Sequence, residues 1–153
     1  MPRTVSEITE IFIYRKISDE TEYLLLKRNH TEKYPGIWSV AGGKVNENEK
    51  AFEAAIREMK EETGLVPLKL FVTECVNTFY EHQTDMVQIV PVFLAEAGSG
   101  EVVLSEEHSG YEWMTFGKAF ETLHWNSWKE NLNFINMVLN GEGSGKMLQE
   151  IRL

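Results

Sequence analysis

Residues 43–65 read GKVNENEKAFEAAIREMKEETGL, and this stretch decides the fold. Phe52, Ala55, Ile56 and Met59 fall at i, i+3, i+4 and i+7, the stripe of a helix packed on one side. Asn46 and Glu49 have the spacing of a capping box, and Gly64 is a natural left-handed stop. The spacing therefore predicts a helix over 46–63. Glu58, Glu61 and Glu62 form a second stripe near its end. Like charges so spaced cost a helix about 0.2–0.5 kcal/mol per pair. Carboxylates in the last turn also oppose the dipole, by about 0.3–1 kcal/mol each. Two readings are open. Glu53 and Glu61 each lie four residues from Arg57, so the face can be a solvated, salt-bridged surface. Alternatively, the crowding serves a hard divalent cation, which takes oxygen ligands and, in the case of magnesium, is commonly shared with substrate phosphates.

Around this helix the chain reads mostly as strands. Residues 5–16 (with Ile11 and Ile13 inward) and 22–28 are predicted as two strands joined by a polar turn at Ser18–Thr21. Pro35-Gly36 marks a loop, and a short strand, Ile37–Ala41, runs into Gly42-Gly43. Longer strands are expected over 68–80 and 86–95, with Pro91 at an edge or bulge because it cannot donate to a ladder. Val102–Leu104 and Tyr111–Met114 read as short strands, and Gly117–Leu123 as a short helix. A last helix runs from Asn126 or Ser127 to Asn140, with Trp128, Leu132, Ile135 and Leu139 on one face. Together these give an α+β fold, a mixed sheet between helices. One domain is expected over 1–140. Residues 141–153 form a glycine-containing end that either docks or stays loose.

Composition narrows the function. The 15 basic residues against 24 acidic ones leave a net charge of −9, which argues against a nucleic-acid polymer as partner. A phosphorylated small molecule is compatible if cations bridge it to the acids. The single cysteine excludes a disulfide framework, and no apolar run is long enough for a membrane span. The N-terminus lacks a signal-peptide layout, so a cytoplasmic location is expected.

The string 43–65 resembles the Nudix box: Gly43, Glu49, Arg57, Glu58, Glu61, Glu62, Gly64 and Leu65 all fall in place. Met59 replaces the usual branched aliphatic residue at little cost in volume. Ala41 stands where many members have proline. The resemblance implies an α/β/α sandwich and a hydrolase that cleaves a nucleoside diphosphate linkage by water attack on phosphorus. It implies Mg2+, with Mn2+ possible, held by Glu58, Glu61, Glu62 and the Gly42 carbonyl. Arg57 would orient Glu58, and Glu49 would cap the helix and pair with Arg57. Family members are often dimers, so a homodimer is possible.

Residues 105–113, SEEHSGYEW, are similar to a segment of two Nudix groups. One comprises the dihydroneopterin triphosphate and deoxynucleoside triphosphate pyrophosphatases, the other the diadenosine tetraphosphate hydrolases. By this similarity Glu107 is a second candidate for the base that takes the water's proton, beside Glu58, and His108 is a loop residue close to the site. The segment WNSWKENL at 125–132 is more similar to the triphosphate group. The expected substrate is thus a nucleoside or pterin triphosphate, with a dinucleoside polyphosphate or a purely binding role as alternatives. Arg28 and Lys44 (and Lys27) are candidates for phosphate contact. Trp38, Tyr34, Phe79, Tyr80 and Trp125 are candidates for stacking on a ring.

Overall fold

The computed structural model describes residues 1–142 and 148–153. In chain order the elements are β1 (Arg3–Val5), β2 (Ile8–Ile17), β3 (Glu20–Arg28), β4 (Trp38–Ser39), β5 (Ala41–Lys44), α1 (Ala51–Thr63), β6 (Pro67–Glu81), β7 (Met86–Ala97), β8 (His108–Thr115), α2 (Phe116–Thr122), α3 (Asn126–Leu139) and β9 (Gln149–Ile151).

Burial on both sheet faces explains the strand sequences. In β2, Ile11 and Ile13 face α1, while Phe12 and Tyr14 face α2 and α3. In β3, Leu24 and Leu26 join the first layer and Tyr23 and Leu25 the second. A strand covered on both sides reads as a continuous apolar run rather than an alternation. Ile11 and Ile13 point inward as expected, and Phe12 and Tyr14 between and beyond them are buried as well, on the other face. The result is a mixed sheet between helices, the α/β/α sandwich expected from the sequence.

The β2–β3 hairpin is forked. Near its turn, Tyr14–Ile17 pair with Tyr23–Glu20. At the open end the two strands part and the 38–44 segment fills the gap, β4 pairing with β3 and β5 with β2. Glu10 lies opposite Gly42, and Thr9 opposite Gly43. The fork thereby delivers the glycine pair to the end of α1.

Several sequence expectations are adjusted. Residues 5–16 are not one strand: β1 pairs in parallel with Met86–Gln88 of β7, and β2 with Val92–Glu96. Pro91 falls in the break between these ladders and faces an irregularity of β6 between Val72 and Val76. Helix α1 starts at Ala51, not Asn46. Glu49 does bond the Asn46 N–H, at 2.9 Å, but within a turn where Asn48 is left-handed. Val102–Leu104 is not a strand; the Val103 N–H instead bonds the Thr63 carbonyl at the end of α1, at 2.8 Å. Of the C-terminal stretch, 143–147 lie outside the described residues, and Gln149–Ile151 pair antiparallel with Leu70–Val72 of β6.

Met59 is fully buried between α1 and the sheet. Met59→Ala is expected to lower unfolding free energy by about 2–5 kcal/mol in urea denaturation. Met59→Leu, which keeps the volume, should cost under about 1.5 kcal/mol.

Candidate active site

The acidic stripe of α1 is only partly a solvated face: Glu61 is exposed and paired with Arg57, whereas the other two acids are not. Glu58 is 9% exposed and Glu62 only 4%, and both face the fork. Gly42 donates its N–H to Glu62 Oε2 at 2.8 Å. A Cβ on Gly43 would overlap the Glu58 carboxyl group, and one on Gly42 would strike the Thr9 carbonyl. Both positions need glycine because helix and sheet backbone meet there. Left-handed Gly64 then ends α1, as its sequence position predicts.

Arg57 organises the rim. Its Nε and Nη2 clasp Glu49 in bidentate fashion at 2.8 and 3.0 Å, and Nη2 also bonds the Lys44 carbonyl at 2.8 Å. Its Nη1 holds Glu58 Oε1 at 2.7 Å and lies 3.3 Å from Glu61. One guanidinium thus ties β5, the loop before α1 and two carboxylates of the helix. The bond from Arg57 holds the Glu49 carboxyl down to about 2.

The opposite wall is the loop before β8. Asn29, just after β3, pins it by donating its backbone N–H to the Glu107 carbonyl at 2.9 Å and its Nδ2 to the Glu106 carbonyl at 2.8 Å. The cleft between loop and helix holds about 300 Å³ and is lined by Glu58, Glu61, Glu62, Ser105, Glu106 and Glu107. His108 lies behind it, its side chain 1% exposed and its Nε2 3.8 Å from Glu62 Oε1.

This electrostatic arrangement is unfavourable without a counter-charge. Burial pushes the Glu62 carboxyl up to about 9, with Glu58 and Glu107 adding repulsion against the Gly42 bond. Burial also raises Glu58, opposed by Arg57. His108 is held down to about 4 by burial and by Arg28, so its imidazole is neutral. Five glutamates around one cleft, with ligand atoms of Glu62, Glu107 and His108 within 4.8 Å of one another, form a donor set that fits a divalent cation.

The other candidates divide. Arg28 lies across the β3–β8 pair from His108, beside the cleft, with Nε bonded to the Lys33 carbonyl at 2.6 Å. Lys44 contributes its carbonyl to Arg57, while its side chain is exposed. Trp38 packs against the α3-side core and does not line the cleft. Tyr34 and Trp125 make an edge-on pair at 5.1 Å, 59% and 36% exposed. Phe79 and Tyr80 are exposed on β6. Sequence reasoning missed Asn29; its only signal was an amide placed directly after a strand.

The family model described as NUDIX domain matches residues 10–136. The chain belongs to the Nudix family. It is a hydrolase acting on phosphoric anhydrides in nucleotide substrates, of a family generally dependent on divalent metal. The asymmetrical bis(5'-nucleosyl)-tetraphosphatase of Caenorhabditis elegans is 32% identical over 105 residues, spanning 67% of this chain and 74% of that protein. Nucleoside triphosphatase NudI of Escherichia coli strain K12 is 29% identical over 110 residues, 64% of this chain and 76% of that one. A crystal structure of a C. elegans Ap4A hydrolase binary complex matches with a TM-score of 0.75 at 28% identity, covering 90% of this chain and 99% of that one. The E. coli dihydroneopterin triphosphate pyrophosphohydrolase shares the fold, with a TM-score of 0.68 at 22% identity over 86% of this chain and 99% of that one. No helix among the described residues of this Nudix hydrolase is long and apolar enough to cross a membrane.

Two predictions follow from this geometry. Gly43→Ala must displace the Glu58 carboxyl group, and kcat should fall by about a hundredfold in steady-state assays, with the thermal midpoint little changed. The second concerns pH. The Glu62 carboxyl sits at about 9 when folded against an ordinary 4.5, so the folded state binds the extra proton between those values. Its contribution to stability is complete below pH 4.5 and is lost as pH rises towards 9. In chelator, the melting temperature should fall across this range, and Glu62→Gln should flatten the slope.

Proposed function

We propose that this Nudix hydrolase cleaves a (deoxy)nucleoside or pterin triphosphate to the monophosphate and pyrophosphate. The observation that carries the reading is the burial of Glu58 and Glu62 together at the Gly42-Gly43 fork, beside Glu107. Carboxylates so packed repel an anionic phosphate chain by themselves, and they favour one bridged through cations.

Glu58, Glu61, Glu62 and the Gly42 carbonyl would hold Mg2+, with Mn2+ as a substitute. When bound, the ion neutralises the diphosphate and acidifies the attacking water. The chain's own groups do the rest. Glu58 takes the proton from that water: Arg57 fixes its Oε1, which leaves Oε2 to accept, and burial makes it a stronger base. Arg57 thus orients a base and holds Glu61 at the rim. Arg28, beside the cleft, meets the outer phosphates. Tyr34 and Trp125 offer exposed ring surface for a base or pterin; the loop carrying Tyr34 follows Asn29, which bonds the loop before β8.

The similarity to NudI and the segment at 125–132 support the triphosphate. A second reading, hydrolysis of a dinucleoside tetraphosphate, is favoured by the 32% identity to the C. elegans tetraphosphatase. The chemistry at phosphorus is the same, and only the leaving group differs. We infer a cytoplasmic enzyme, one catalytic domain over 1–140, and a possible homodimer.

Product analysis with Mg2+ tests the reading. Nucleoside or dihydroneopterin triphosphates should release pyrophosphate and monophosphate. Conversion of diadenosine tetraphosphate to ATP and AMP, with triphosphates untouched, would establish the second reading instead. Glu62→Gln should abolish turnover while circular dichroism shows an intact fold; a near-normal rate would remove Glu62 from the site.

A further inference from the structure

His108 is the one group at the cleft whose environment the reaction as proposed does not explain. Its side chain is 1% exposed, and its Nδ1 is buried without a hydrogen-bond partner. Its Nε2 is 3.8 Å from Glu62 Oε1, too far for a hydrogen bond. Among the described residues neither ring nitrogen makes a hydrogen bond; Nε2 is the one turned towards Glu62, and an ion there would give it the partner that buried polar groups nearly always have. Two donor atoms bound to one transition metal at about 2.0–2.2 Å stand about 3.0–3.5 Å apart. The observed gap exceeds that by a few tenths of an ångström, within reach of a small ring or carboxylate rotation. Glu107 brings a third ligand atom within 4.8 Å of both.

We propose that His108 Nε2, with Glu62 and Glu107, forms a mixed nitrogen–oxygen cation position that takes Mn2+, Co2+ or Zn2+ in preference to Mg2+. This position lies beside the all-oxygen set of Glu58, Glu61, Glu62 and the Gly42 carbonyl, where a hard ion is at home, and Glu62 is shared between the two. The inference rests on the metal-dependent reading of the cleft. It adds that the two sides of the cleft differ in hardness, because imidazole suits transition metals and carboxylate suits Mg2+. Arg28 faces His108 across the β3–β8 pair.

The test is electron spin-echo spectroscopy of the wild-type protein loaded with Mn2+ alone. A nitrogen modulation from a directly bound imidazole is expected, and it should persist in excess Mg2+. His108→Gln should remove the modulation and lower the ratio of Mn2+ to Mg2+ affinity by at least about tenfold in calorimetric titration. Bound Mn2+ without nitrogen modulation in the wild type would overturn the assignment of His108 while leaving the carboxylate site standing. No Mn2+ binding at all would overturn the metal reading itself. The wild-type spectrum decides the matter even if His108→Gln fails to fold.

Discussion

Two glutamates, Glu58 and Glu62, are folded away from water beside one another, against a pair of glycines. The rest of the structure makes sense as support for that arrangement. Glu62 is tied to the Gly42 N–H and Glu58 to Arg57, so neither carboxylate can swing out to relieve the repulsion. Exposed like charges would cost a helix only tenths of a kcal/mol. Buried ones cost far more unless something neutralises them. The raised Glu62 carboxyl reflects that cost, and the proposed divalent cation would remove it.

The fold supplies the rigidity this requires. The β2–β3 fork holds Gly42 and Gly43 in ladder register with Glu10 and Thr9, and the absence of side chains there lets α1 approach the sheet. Met59, between the two acids in sequence, anchors the helix in the core. The third wall comes from a distant part of the chain. Residues 105–107 reach the cleft because β8 pairs with β3 and Asn29 fastens the loop. The candidate site is thus assembled at the meeting point of a helix end, a glycine turn and a pinned loop, each set by backbone hydrogen bonds.

The centre of the candidate site was legible because the box residues are local: the acids, Arg57 and both glycines lie within two turns of helix and one strand. Both apolar stripes were legible for the same reason. Other features depended on distant partners. The Asn46–Glu49 contact forms as expected, yet it closes a turn before the helix, since left-handed Asn48 interrupts the chain. Val102–Leu104 has the composition of a strand but is recruited by the end of α1. Pairing of β9 with β6 is decided by an open sheet edge that no local pattern reveals. The solvated, salt-bridged reading holds for Glu61 but not for Glu58 and Glu62, whose burial comes from the fork, a tertiary feature.

A crystal structure with Mn2+ and a non-hydrolysable nucleotide tests the central claim most directly. Anomalous density among Glu58, Glu62 and Glu107, with the phosphate chain bridged to it, is the result this account predicts. The same carboxylates turned into solvent, with nucleotide bound and no ion between them, would contradict it.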